Sequence, residues 1–234
     1  PMERYLTDWA FIHFWQIAKR GWPLIDHVYG RTDVNRNRMG RFILQNPEYT
    51  HVLMLDLDHI HQPDIVERLA AWVLDDPSRL VVGGLHFRRA APFDPCAFIF
   101  GPDKALHAPV EWEPGLFEVH AIGHGSLLVA REVFERLPMP FWAYTYEGVE
   151  RDSYPSEDMW FSYLCRENGI QLWVDTTVTS PHMIHNLVDE DTFRRWLADH
   201  PDRIADISGE RPQPEKKRVR KPKRKGVKDE PVPA

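Results

Sequence analysis

Residues 51–61 read HVLMLDLDHIH. An apolar run suited to burial ends in two carboxylates one residue apart, Asp56 and Asp58, and then in two imidazoles. In an extended chain residues i and i+2 face the same way, so both carboxylates can reach one cation. Hard oxygen donors suit Mg²⁺ or Mn²⁺, above all beside a diphosphate. The plain alternative is a pair of solvated acids at a strand end. A second acid pair, Glu157 and Asp158, follows Ser156, a residue type that caps helices. In a first helical turn the dipole favours ionised acids, so this pair either complements the dipole or supplies a base. A third candidate is His182, in Ser180-Pro181-His182. A lone histidine is more often a hydrogen-bonded surface residue than a ligand.

The elements that must position these residues can be read from periodicity. Leu6, Trp9, Ala10, His13 and Ile17 share a helical face, which predicts a helix over 3–20. Asp33 looks like the N-cap of a second helix that stops at Asn46-Pro47. Residues 51–55 form a buried strand, residues from Pro63 through Val73 a helix, and residues 80–85 another strand. That order predicts a βαβ unit in a parallel sheet. Residues 90–120 read as short strands without a helix. A glycine-kinked turn leads into a strand over 121–130, and a short helix follows to Leu137. Ser156 opens a helix that closes at Asn168-Gly169, residues 170–175 form a strand, and 190–199 a last helix.

Charge divides the chain. From Arg211 onward there are ten basic and three acidic residues, against 19 basic and 32 acidic residues before it. The acidic body argues against a broad phosphate-binding face, and the basic end suggests a polyanionic partner or a disordered arm. The sequence from about Ser208 cannot bury enough apolar surface to fold. Cys96 and Cys165 stand in no metal or redox spacing and read as free thiols of a cytosolic protein. No apolar run is long enough to span a bilayer, and no signal peptide is expected.

Several features recur in a fixed order. Arg36 and Asn37 lie on an early helix, and an apolar strand ends in Asp56-x-Asp58. Gly123-His-Gly-Ser-Leu-Leu-Val-Ala-Arg-Glu-Val-Phe turns into a strand and short helix; Glu157-Asp158 opens a helix ending in Asn-Gly; a strand and a histidine follow. This set, over roughly residues 1–200, resembles a GT-A-fold glycosyltransferase of the small family-2-like kind carried by phages and bacteria. The resemblance implies an α/β, Rossmann-like, mostly parallel sheet flanked by helices over residues 1–207, with a disordered basic tail over 208–234. It implies a metal site in which Asp58 binds Mn²⁺ or Mg²⁺, Asp56 contacts ribose or metal, and His182 completes the set, with His185 as its competitor. It implies Asp158 as the base of an inverting transfer with Glu157 beside the acceptor, and Arg36 and Asn37 lining the nucleotide-sugar site. The donor implied is a nucleotide sugar, of the UDP-sugar kind, used in the cytoplasm, or in the host cytoplasm for a phage enzyme. One departure stands at the start: the family opens on a strand that helps hold the base and ends near a proline, and Pro1 sits where that strand should end.

The chemistry fits the resemblance. Sugar transfer needs the leaving pyrophosphate neutralised and a base beside the acceptor hydroxyl. The acceptor stays open between a saccharide, a protein and a hydroxymethylated base in phage DNA. Trp142, Tyr144 and Tyr146 either stack on it or serve as core and lid packing. Lys216, Lys217, Arg218, Arg220, Lys221, Lys223, Arg224 and Lys225 either hold nucleic acid or form a solvated tail. Two other classes compete. A haloacid-dehalogenase-like phosphatase also places Asp-x-Asp after an apolar strand, but that motif usually ends the first strand of its domain, and here two helices precede it. A non-enzymatic nucleic-acid-binding protein draws its support from the tail alone. Oligomeric state is not legible.

Overall fold

The computed structural model describes residues 12–25, 30–144, 156–184 and 187–202. The expected tail therefore lies outside the described residues, as do His185, Tyr146 and the first part of the first predicted helix. Residues 12–18 are helical. Five further helices follow: α1 (Thr32–Gln45), α2 (Ile65–Asp75), α3 (Arg131–Arg136), α4 (Glu157–Glu167) and α5 (Glu190–Asp199). The central sheet holds β1 (His51–Leu55), β2 (Val81–Leu85), β5 (Leu116–Val119), β7 (Ser126–Ala130) and β8 (Leu172–Thr179) in the order β1-β7-β2-β8-β5. A smaller sheet contains β3 (Ala97–Phe100), β4 (Leu106–His107) and β6 (Ala121–Ile122), and β9 (His182–Met183) pairs with β10 (Leu187–Val188).

The α/β class is as expected, but the ladders are mostly antiparallel. β1 and β2 run the same way, as a strand–helix–strand crossover requires, yet β7 inserts between them in the opposite direction. The parallel pairing in the central sheet is β2 with β8. Successive residues alternate between two apolar layers, as the two-residue period of a strand demands. Val81, Leu127 and Val129 join Phe134, Phe161 and Phe193 on one face, beside α1, α3, α4 and α5. Val82 and Leu128 meet Ile17, Ile65, Leu69 and Val73 on the other. β2 and β7 are buried on both faces, so they read as unbroken apolar runs.

Two expectations about helix starts need correction. α1 begins after Arg31, and Asp33 is taken by the Arg31 guanidinium at 3.0 and 3.1 Å instead of capping. Ser156 occupies the N-cap of α4 but makes no side-chain cap bond. β8 runs four residues further than expected, to Thr179, and this extension carries Ser180 and His182 to the same edge as Asp56. Among the described residues no helix is long and apolar enough to cross a membrane.

Candidate active site

β1, β2 and β8 all end at one edge of the sheet, and β7 begins there. That edge is where open α/β sheets bind ligands. Asp56 follows β1, and its N–H still bonds Gly125 O at 3.0 Å, one rung beyond the strand. Residues 58–60 then pair with 181–183: Met183 N–H donates to Asp58 O at 2.8 Å and Ile60 N–H to Pro181 O at 2.9 Å. This short bridge stacks the His59 and His182 rings with centroids 4.0 Å apart. It sets His182 Nε2 3.1 Å from Asp58 Oδ2 and His59 Nδ1 3.1 Å from Asp58 Oδ1.

The tautomer of His182 follows from its other nitrogen. Nδ1 lies 2.9 Å from Phe87 O, and a carbonyl only accepts, so Nδ1 carries the proton. In the neutral ring Nε2 then turns a lone pair toward a carboxylate oxygen. Two acceptors at that distance need a second proton or a cation between them. The ligand atoms of Asp58, His59 and His182 all lie within 4.8 Å of one another, so the donor set fits a divalent ion. Burial would raise the Asp58 pKa, but the His182 ring, when it carries its second proton, and the His59 ring outweigh burial and hold the carboxyl well below the usual range. The second imidazole of the HIH triplet does something else. His61 is buried, with Nε2 2.9 Å from Asp56 O and Nδ1 3.0 Å from Ser180 Oγ, and burial lowers its pKa to about 3. It is a neutral strut between the ends of β1 and β8.

Asp56 stands outside the Asp58–His59–His182 group and faces Arg36 instead. Arg36 in α1 is 5% exposed and ties the end of β1 to the start of α4. Its Nη2 lies 3.1 and 3.2 Å from the two Asp56 oxygens, and its Nη1 2.8 Å from Glu157 Oε1 and in short contact with Asp158 Oδ1. Burial works against the guanidinium charge, but Asp158, Asp56 and Glu157 together raise the Arg36 pKa further above its ordinary value. The acid pair opening α4 therefore does more than complement a dipole. Asp158 Oδ1 also lies 2.9 Å from Nδ1 of fully buried His124. Burial would raise the Asp158 pKa, yet His124 and Arg36 hold it well below the carboxylate range. Trp142 Nε1 points at the same His124 nitrogen at 3.0 Å. One nitrogen cannot donate to Asp158 and accept from Trp142 at once, and the charged acceptor is the stronger partner.

These groups meet at a cleft of about 390 Å³ lined by Asp56, His59, His86, Arg88, Arg89, Cys96, His124, Gly125, Asp158 and His182. Asn37 is absent from that lining. Its side-chain nitrogen donates to Asp33 O and Trp142 O, and its oxygen accepts from Phe141 and Trp142 N–H, so its amide is spent on holding residues 141–142. Arg36 is likewise committed to carboxylates. The polar atoms of both side chains have protein partners, and neither side chain lines the cleft. Trp142 is core, stacked on Phe161 at 4.6 Å. His59, His124 and Arg89 also line the cleft, and the sequence carries a signal for each: the imidazole after Asp-x-Asp, the histidine between two glycines, and the arginine pair after β2.

No protein-family model and no curated protein matches this sequence. Among solved structures, the crystal structure of A197 from STIV is similar, with a TM-score of 0.54 at 16% identity over 75% of this chain and 79% of that one. The crystal structure of apo-UDP-glucose pyrophosphorylase aligns with a TM-score of 0.41 at 8% identity over 76% of this chain and 63% of that one. The likeness to A197 shows the fold: a mixed α/β sheet flanked by helices.

Proposed function

We propose that this chain is a GT-A-type glycosyltransferase that moves a sugar from a nucleoside diphosphate sugar to an acceptor hydroxyl. The observation that carries the reading is one cleft lined by Asp158 and by His59 and His182, the two imidazoles that flank Asp58. Asp58, His59 and His182 would hold a divalent cation there, which would supply Lewis-acid charge to the leaving diphosphate. One carboxylate and two imidazoles suit a first-row ion such as Mn²⁺ better than Mg²⁺, which prefers an octahedron of oxygens. Asp56 lines the cleft with one flank on Arg36 and its side chain 38% exposed, which leaves it free to accept from a ribose hydroxyl. Asp158 takes the proton of the acceptor hydroxyl as the new C–O bond forms and the bond from the sugar to the diphosphate breaks, with inversion at the sugar carbon. Arg36 and His124 fix that carboxylate, Glu157 shares the Arg36 Nη1 with it, and Asp56 holds the other side of the fork.

Residues 1–207 form the catalytic unit in this reading, and 208–234 a basic arm. The arm favours a polyanionic acceptor such as DNA bearing hydroxymethylated bases; a saccharide or protein acceptor uses the same cleft. The donor is a UDP-sugar, and the setting is the cytoplasm, where nucleotide sugars are made. The test is a panel of UDP-, GDP-, ADP- and dTDP-sugars with Mn²⁺. Release of nucleoside diphosphate from one of them, abolished by EDTA and by Asp58→Ala, supports the proposal. Release of inorganic phosphate instead would favour the phosphatase chemistry. Proton NMR of the product anomer separates inversion from retention.

A further inference from the structure

We propose that Arg89, with Arg88 beside it, anchors the diphosphate of the donor; this rests on reading the cleft as a nucleotide-sugar site. After β2 the chain forms a narrow arm. Cys96 N–H donates to His86 O at 2.8 Å and Arg88 N–H to Asp94 O at 2.9 Å, and the tip closes with Phe93 N–H on Ala90 O at 2.9 Å. Both arginines are exposed on this arm and line the cleft. Among the described residues they are its only lining lysines or arginines. Arg36 is close by but buried and shared among three carboxylates. A donor diphosphate together with the carboxylates of Asp56, Asp58 and Asp158 carries more negative charge than one divalent ion and Arg36 offset. A guanidinium also presents the planar fork that matches phosphate oxygens.

Arg89 holds a position that makes its role distinguishable. Its Nη1 lies 3.2 Å from Asp58 Oδ2, the oxygen that also faces His182 Nε2 at 3.1 Å. With its side chain 59% exposed, this ion pair is weak. A cation on Asp58 competes with Arg89 for that oxygen and frees the guanidinium to turn to the phosphates. Arg89 therefore opposes the bare metal and favours the metal–nucleotide complex. A residue with a merely structural role does not show these opposite signs.

The experiment uses the full chain as wild type, Arg89→Gln and Arg89→Lys. Mn²⁺ alone is titrated by EPR of the free ion, and UDP, GDP, ADP and dTDP are each titrated calorimetrically with Mn²⁺ present. In Arg89→Gln, binding of whichever nucleoside diphosphate the wild type takes should weaken roughly 10-fold or more, as loss of a charged hydrogen bond implies. Arg89→Lys should recover part of that loss. Mn²⁺ alone should bind Arg89→Gln as tightly as wild type or more tightly. Unchanged nucleotide affinity in Arg89→Gln overturns the proposal, and so does a parallel loss of Mn²⁺, which would mean damage to the Asp58 site. If wild type binds Mn²⁺ but none of the four nucleotides, the reading of the cleft itself fails.

Discussion

In the proposed transfer Asp158 is the base, and its neighbours hold it ionised. Its pKa in the fold lies below the unfolded value, so its charge contributes stability above about pH 3.9 that is lost as pH falls through the folded value. If Asp158 is the base of the proposed transfer, the same depression would set the acid limb of its pH–rate profile, with the basic form persisting to low pH. Asp158→Asn keeps the shape and removes the basicity, so turnover should fall by about 10²-fold or more while donor affinity changes little, as steady-state kinetics and nucleotide titration would show. Unchanged turnover would remove Asp158 from the chemistry. Arg36→Lys keeps a charge but loses the fork that serves Asp56, Glu157 and Asp158 together. The acid limb of the pH–rate profile should then move up, and the fold should lose stability, by up to about 3–5 kcal/mol if the buried Glu157 carboxylate is left without a partner. An acid limb that stays in place would mean that Arg36 does not tune the base.

At the scale of elements, the site depends on backbones that approach closely. A Cβ on Gly125, at the mouth of β7, would lie 2.8 Å from His59 Nε2 and 3.0 Å from His86 Cδ2. Both are ring atoms in a packed layer, so the rings must shift. Gly125→Ala should cost about 1–3 kcal/mol in urea unfolding and weaken Mn²⁺ binding, because His59 stacks on His182. Wild-type behaviour in both measurements would separate His59 from the metal group. Local pattern made β1, α2, β2 and α4 legible, since each carries its own period of apolar residues. Strand order was not legible. Nothing local says that β7 inserts between β1 and β2, because that pairing is settled by buried faces far apart along the sequence, as Met54 opposite Leu127 illustrates. The meeting of Asp58 with His182 was expected from a family resemblance rather than from spacing, and the bridge from 58–60 to 181–183 is its physical cause. Asp33 does not cap α1 because Arg31, two residues away, takes the same carboxylate.

At the scale of the whole molecule, an acidic body carries a basic end. If about five of the charges between Lys216 and Lys225 engage phosphates, log K should fall with log salt at a slope near −4.5. A fourfold rise in salt then weakens DNA binding roughly 500-fold. Truncation after Ser208 should remove most DNA affinity and spare nucleoside diphosphate release, because every group assigned to the cleft precedes that point. Fluorescence anisotropy with duplex and single-stranded DNA at two salt concentrations checks this. Equal binding by both chains, or binding by neither, would leave a DNA acceptor without support.

The most direct test of the cleft is crystallographic. Crystals of the full chain soaked with Mn²⁺ and the nucleoside diphosphate it binds should give an anomalous peak bounded by the Asp58 carboxylate and His182 Nε2, with the phosphates between that ion and Arg89. An anomalous peak elsewhere, or a nucleotide bound away from the ends of β1, β2 and β8, would contradict the assignment of this cleft as a cation-assisted nucleotide-sugar site.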